Sequence, residues 1–193
     1  MAKRLSEFLD PRTLDPSLDD IAQAVKRPVE TVSVPTDKDW KWGTMFYAVV
    51  EGEGGIFGSY RALACWVEAI IQMLTSCNDW QTLEAMIAAT VAELERYPYC
   101  EADKQQLRQV LAVATVRLEE LKAQAAGLIR AWNWARGWAP ILKACPNETS
   151  LNIALQLYKT QKPQFSVFTD AIAWVVQIAR QHREYLRGCN VVR

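Results

Sequence analysis

The sequence predicts a mostly α protein: a bundle of about five helices with a small two- or three-stranded β-sheet formed by a hairpin near residues 45–60. Three observations predict it. Apolar residues recur at helical spacing through most of the chain, with no strand-like alternation outside one segment. That segment, "TMFYAVVEGEGGIFGSYRAL", pairs two short aromatic runs around a glycine turn. Half of the 193 residues are hydrophobic and the formal net charge is zero, the composition of a globular chain.

The first forty residues are broken by Pro11, Pro16, Pro28 and Pro35 and hold one short helix, "SLDDIAQAV". Ser17 is a good N-cap, and Asp19 and Asp20 sit where the helix dipole favours anions. "IAQAVKRPVETVS" resembles a repressor-type helix-turn-helix at Ala22, Thr31 and Val32, but Lys26 stands where that pattern has glycine. Its second helix would stop by Pro35, too short to lie across a major groove, and the surrounding acids repel phosphate.

Phe46, Ala48 and Val50 then alternate with Tyr47 and Val49, as in a strand with one buried face. Gly52, Gly54 and Gly55 are expected to supply the positive φ of a tight turn, and "GIFGSY" the return strand, with Phe46 and Phe57 both inward. From Ala62 the period becomes helical, with Leu63, Trp66, Val67, Ile70, Ile71 and Leu74 on one face. A second helix, "QTLEAMIAATVAELERY", stops before Pro98. A long one runs from Cys100 to Trp132 or beyond, its stripe formed by Leu107, Val110, Leu111, Ala114, Leu118, Leu121, Ala125, Leu128 and Ile129. Gly137 and Pro140 are expected to loosen it. "SLNIALQLYKT" follows, with Ser150 as candidate cap, and a last helix is expected to close at Gly188. The resulting organisation is a proline-broken segment over 1–40, a hairpin-helix module over 41–97 and a helical domain over 98–193.

Neutrality hides an asymmetry. Residues 1–100 hold 9 Lys and Arg against 15 Asp and Glu, a net of −6, whereas residues 101–193 hold 13 against 7, a net of +6. Such a dipole fits an anionic partner for one end, head-to-tail stacking of subunits, or chance on solvated faces. Five cysteines without a CxxC pair, and a single histidine, give neither a disulfide framework nor a zinc site. A reducing cytoplasm is the expected location, and neither a signal peptide nor a membrane-spanning apolar run is read.

No catalytic motif is present, so no enzyme activity, cofactor or metal is expected. His182 lies among charged neighbours and reads as a surface histidine. "GEGG" lacks the following Lys-Ser/Thr of a phosphate loop. The stretch from Leu121 to Asn147 carries Lys122, Arg130, Arg136 and Lys143 with no acid, interleaved with Trp132, Trp134 and Trp138. Charge to follow a phosphate backbone beside flat rings to take bases is what single-stranded nucleic acid requires. Rings two and four apart on a helix do not all face one way, so core or protein-interface roles stay open for them.

"FYAVVEGEGGIFGSY", with Val67 seven residues after Tyr60, resembles the viroplasmin-like module, the N-terminal hybrid-binding domain of eukaryotic-type ribonuclease H. The resemblance covers residues 45–90. It implies stacking surfaces on Tyr60 and Trp80, and a third short strand and last helix beginning in "NDWQTLEA". The turn is one residue shorter than in the family and reads Glu51 and Glu53 where the family is basic, while Asn78 and Asp79 replace its lysines. The functional expectation is a non-enzymatic accessory subunit of a complex handling RNA or single-stranded DNA, not membrane-bound, contacting nucleic acid through residues 122–143, Tyr60 and Trp80. The alternative is a protein-binding helical adaptor or assembly factor anchored by exposed tryptophans.

Overall fold

The computed structural model describes residues 3–35 and 40–190, and the chain divides into two compact units, residues 1–121 and 122–193. The division falls between Leu121 and Lys122, inside one long helix, and the proline-broken N-terminal segment belongs with the hairpin. The fold is mostly α with a small antiparallel sheet; six α-helices occur among the described residues.

In the first unit, helix α1 (Leu18–Val25) starts from a capping box in which Ser17 Oγ accepts the Asp20 N–H at 3.1 Å and Asp20 accepts the Ser17 N–H at 3.1 Å. Lys26 ends it in the left-handed region, at φ 57°. The segment that resembled a second DNA-reading helix is one 3-10 turn, Val29–Thr31, followed directly by strand.

Strand β3 (Met45–Val50) is the centre of the sheet. β4 (Gly54–Ser59) pairs along its whole length, from Met45↔Ser59 to Val50↔Gly54. Its other edge is shared by two short strands, β1 (Val32–Ser33) opposite Val50 and Val49, and β2 (Lys41–Trp42) opposite Phe46 and Met45. The sheet is therefore three strands wide. Gly52 and Gly54 make the turn at φ 79° and 88°, whereas Gly55 is ordinary strand and serves another purpose. A Cβ on Gly55 would run into the Tyr47 ring, and one on Gly58 into the Phe46 ring, so each cross-strand aromatic covers a glycine. Phe46, Ala48 and Val50 are buried, as the alternation indicates. Phe57 is not inward: it lies opposite Tyr47, on the other face, and is 49% exposed.

Helices α2 (Ala64–Ser76), α3 (Trp80–Arg96) and the first part of α4 (Glu101–Lys143) close this core with Trp66, Ile70, Leu74, Leu83 and Leu107, all fully buried. No third strand follows α2. Asp79 instead caps α3, accepting the Thr82 N–H at 2.8 Å, and the Arg117 guanidinium donates to Asn78 Oδ1 and the Thr75 carbonyl.

The second unit contains the rest of α4, α5 (Glu148–Gln161), a 3-10 turn at Lys162–Phe165, and α6 (Thr169–Asn190). α4 does not loosen at Gly137 or Pro140 but continues to Lys143. Pro140 is exposed and within a turn of the end, where a missing N–H interrupts the ladder at one point only. The expected apolar stripe holds through Leu118 and then shifts: Leu128 and Ile129 are exposed, and Ala131, Ala135, Trp138 and Leu142 take over as the buried positions. α5 is capped by Asn147, whose Oδ1 accepts the Ser150 N–H at 2.9 Å, so Ser150 is the third helical residue and not the cap. Gly188 lies within α6 rather than ending it. No helix among the described residues is long and apolar enough to cross a membrane.

The β3–β4 packing makes three expectations. Phe46→Ala destabilises the chain by about 3–5 kcal/mol through the cavity it leaves. Gly58→Val, which drives a side chain into the Phe46 ring, lowers the denaturation midpoint as well, whereas Phe57→Ala changes it little. Midpoints from urea unfolding check all three, and an unchanged midpoint for Phe46→Ala would place the hairpin outside the core.

Candidate nucleic-acid interface

The acid-free stretch occupies the second half of α4, and the structure separates its rings from its charges. Trp138 is 6% exposed and meets Tyr158 of α5 edge-on, with ring centroids 5.7 Å apart. Trp134 lies parallel to Tyr158 at 5.3 Å and to Phe165 at 4.5 Å, and its Nε1–H donates to Gln161 Oε1 at 3.0 Å. These contacts join α4, α5 and the following turn. Parallel packing against two aromatic neighbours leaves Trp134 a structural part, and Trp138 belongs to the core. Neither is the open stacking platform expected of it.

Trp132 differs. It is half-buried, touches Trp174 edge-on at 6.0 Å, and lines an open hollow of about 290 Å³ with Leu128, Ile129, Asn133 and Arg136. These residues recur at positions i, i+1, i+4, i+5 and i+8 of α4, one helical face. Arg130, Arg136 and Lys143 are exposed without a carboxylate partner among the described residues. Lys122 is half-buried and already engaged by a neighbour. Of the seven expected residues in this stretch, the structure thus presents three open cations and one partly open ring. Lys159 and Lys162 are two further exposed cations of the same unit, unpaired among the described residues, and their spacing in the sequence, outside the tryptophan cluster, gave no signal.

Tyr60 and Trp80 lie in the other unit. Tyr60 is 3% exposed, packed edge-on against Trp66 at 4.3 Å, and its hydroxyl has no hydrogen-bond partner among the described residues. Its position at the end of β4 turns it into the core, so it offers no face to a base. Trp80 opens α3, half-buried against the same core. Beside Tyr60, Arg61 is ion-paired with Glu93 through Nε, their side chains only 13% and 9% exposed. The Arg61 guanidinium also lies 3.5 Å from the Tyr97 ring centroid. Tyr99 Oη donates to Glu93 Oε1 at 3.3 Å and accepts the Trp66 Nε1–H at 2.9 Å. Burial pushes the Tyr99 phenol well above its ordinary range, and that of Tyr60 upward too.

His182 is not a free surface histidine. Its Nε2 donates to the Cys145 carbonyl at 2.8 Å and its ring stacks on Tyr185, which ties α6 to the end of α4. Among the described residues no three His, Cys, Asp or Glu side chains converge as metal ligands would, and Cys65, Cys77, Cys100 and Cys145 are free thiols. No protein-family model, curated protein or solved structure matches the chain.

Two expected outcomes follow from this geometry. Trp138→Ala costs about 3–5 kcal/mol of stability, as loss of a buried aromatic does, while Trp132→Ala costs clearly less; equal losses in thermal unfolding would contradict the division of roles. The second concerns pH. A phenol whose folded pKa is raised contributes stability that is whole below its ordinary value near 10 and is lost as pH rises above it. Tyr99→Phe therefore loses two hydrogen bonds at neutral pH but declines less steeply above pH about 10 than the parent chain, a difference read from unfolding free energies across that range.

Proposed function

We propose that the chain is a non-enzymatic accessory subunit of a complex handling RNA or single-stranded DNA, and that its second unit holds the strand. The observation that supports this most is the coincidence of charge with structure. Residues 1–121 hold 12 Lys and Arg against 19 Asp and Glu, a net of −7, and residues 122–193 hold 10 against 3, a net of +7. The asymmetry grows when the chain is divided where its structure divides. Acid side chains in the second unit number only three, and Glu148 and Glu184 are paired with Arg187 and Arg180. The open cations Arg130, Arg136 and Lys143 are left to meet phosphates, and the Trp132 hollow takes one base.

Such a surface reads charge and flatness rather than sequence, because phosphate contacts carry no base information and every base has a face to stack. The first unit, net acidic, keeps nucleic acid to the second and is left for protein neighbours in a reducing, cytoplasmic setting.

A second reading, a protein-binding adaptor, draws on different residues. Ile153 and Leu157 lie one turn apart on α5 and are both exposed, as is Ile129 of α4. With Trp134 and Trp138 engaged internally, such an adaptor would be anchored by these aliphatic side chains and Trp132.

Fluorescence anisotropy with a uridine oligonucleotide at several salt concentrations separates the two. Affinity is expected to fall steeply with salt. Arg130→Glu with Arg136→Glu is expected to flatten the slope by about 0.7 for each phosphate no longer neutralised, with little change in stability. Trp132→Ala is expected to cost about 1–3 kcal/mol of binding. No affinity at low salt would overturn the nucleic-acid reading, and salt-tolerant capture of a protein partner would favour the adaptor.

A further inference from the structure

The first unit is acidic overall, yet it gathers cations at one place. Lys3, Arg4, Arg61 and Arg96 border a hollow of about 160 Å³ that has a single carboxylate in its lining, Glu93. Glu93 is already engaged by Arg61 Nε and the Tyr99 hydroxyl. Lys3, Arg4 and Arg96 are exposed and have no carboxylate partner among the described residues; the Lys3 ammonium sits 5.4 Å from the Phe8 ring centroid. Arg96 at the end of α3 suits the helix dipole, but Lys3 and Arg4 have no such reason to be there.

Arg61 is the built part of this place. Its side chain is held by Glu93 on one edge and by the Tyr97 ring on its face, while its two terminal nitrogens make no hydrogen bond among the described residues. A guanidinium fixed in position with free donors is matched to a phosphate, which accepts two parallel bonds from it. A second hollow, of about 380 Å³, shares Thr44, Arg61 and Tyr97 with the first and extends along Met45 and Pro98, an aromatic and apolar surface. The pair offers a charged compartment joined to a flat, less polar one, at a size found for small-molecule clefts.

We propose that this double hollow binds a small phosphate monoester carrying a flat ring, of the nucleoside monophosphate class. The phosphate bonds the terminal nitrogens of Arg61 and is neutralised by Lys3, Arg4 and Arg96, and the ring lies along Tyr97 and Pro98. The site is in a different unit from Arg130, Arg136 and Trp132 and does not depend on strand binding there.

Calorimetric titration of the full chain with adenosine 5′-monophosphate, adenosine and inorganic phosphate tests it. The nucleotide is expected to bind saturably and about tenfold or more tighter than either half alone, as joint use of a charge-assisted bond and a stacking surface requires. Lys3→Glu with Arg96→Glu, both at the exposed rim, should weaken the nucleotide about tenfold or more with the unfolding midpoint kept, and Arg130→Glu with Arg136→Glu should leave it unchanged. Absence of saturable nucleotide binding, equal affinity for phosphate alone, or an unchanged affinity in the rim variant would each overturn the proposal.

Discussion

The structure depends on one helix serving two cores. α4 presents Leu107, Leu111, Ala114 and Leu118 to the first unit, and Ala131, Ala135, Trp138 and Leu142 to the second. Each set has the three-and-four spacing of a buried helical face. Inside the second unit a Cβ on Gly127 would sit 2.8 Å from the Phe168 ring, so the absent side chain lets the aromatic just before α6 close on the helix. Without α4 neither unit completes its core, because neither the sheet with α2 and α3 nor the α5–α6 pair has another partner of comparable apolar surface.

Packing also decides what is left for recognition. Buried aromatic area is among the largest single contributions to a small core, and many buried positions of the 72-residue second unit are alanines, among them Ala131, Ala135, Ala154, Ala171 and Ala179. The unit uses Trp134, Trp138, Tyr158 and Phe165 to join α4, α5 and the turn that follows, and Trp132 against Trp174 to join α4 to α6. Cations cannot enter such a core unpaired, so Arg130, Arg136, Lys143, Lys159 and Lys162 remain outside. The result, on the second half of α4, is a face with three open cations and one partly open ring, Trp132. In the first unit the same rule has an exception, the nearly buried Arg61, and it is tolerated because Glu93 and Tyr97 meet it on two sides.

Much of the fold was legible because its signals are local. Ser17 with Asp20 forms the capping box that the residue types announce, and Phe46, Ala48 and Val50 alternate into the core. What failed to read were features fixed by distant contacts. Phe57 has the same character as Phe46, and only the register opposite Tyr47 puts it outside. Leu128 and Ile129 continue the period of α4 and are exposed because the core of the second unit is built on Ala131, Ala135, Trp138 and Leu142 instead. At the candidate site the charges were legible and the rings were not: the spacing of Trp132, Trp134 and Trp138 shows that they point apart, but not which one is open. The Arg61 cluster gave no sequence signal, since Lys3, Arg61 and Arg96 are far apart in the chain.

The central claim, that single strands lie on the second half of α4, is tested most directly by ultraviolet crosslinking of the full chain to a uridine oligonucleotide without terminal phosphates, followed by tryptic mapping. Trypsin cuts after Arg130 and Arg136, so Trp132 falls in the peptide of residues 131–136. Crosslinks concentrated in that peptide and its neighbours up to Lys143, and weakened by salt, are expected. Crosslinks confined to residues before Lys122, or none at low salt, would contradict the assignment.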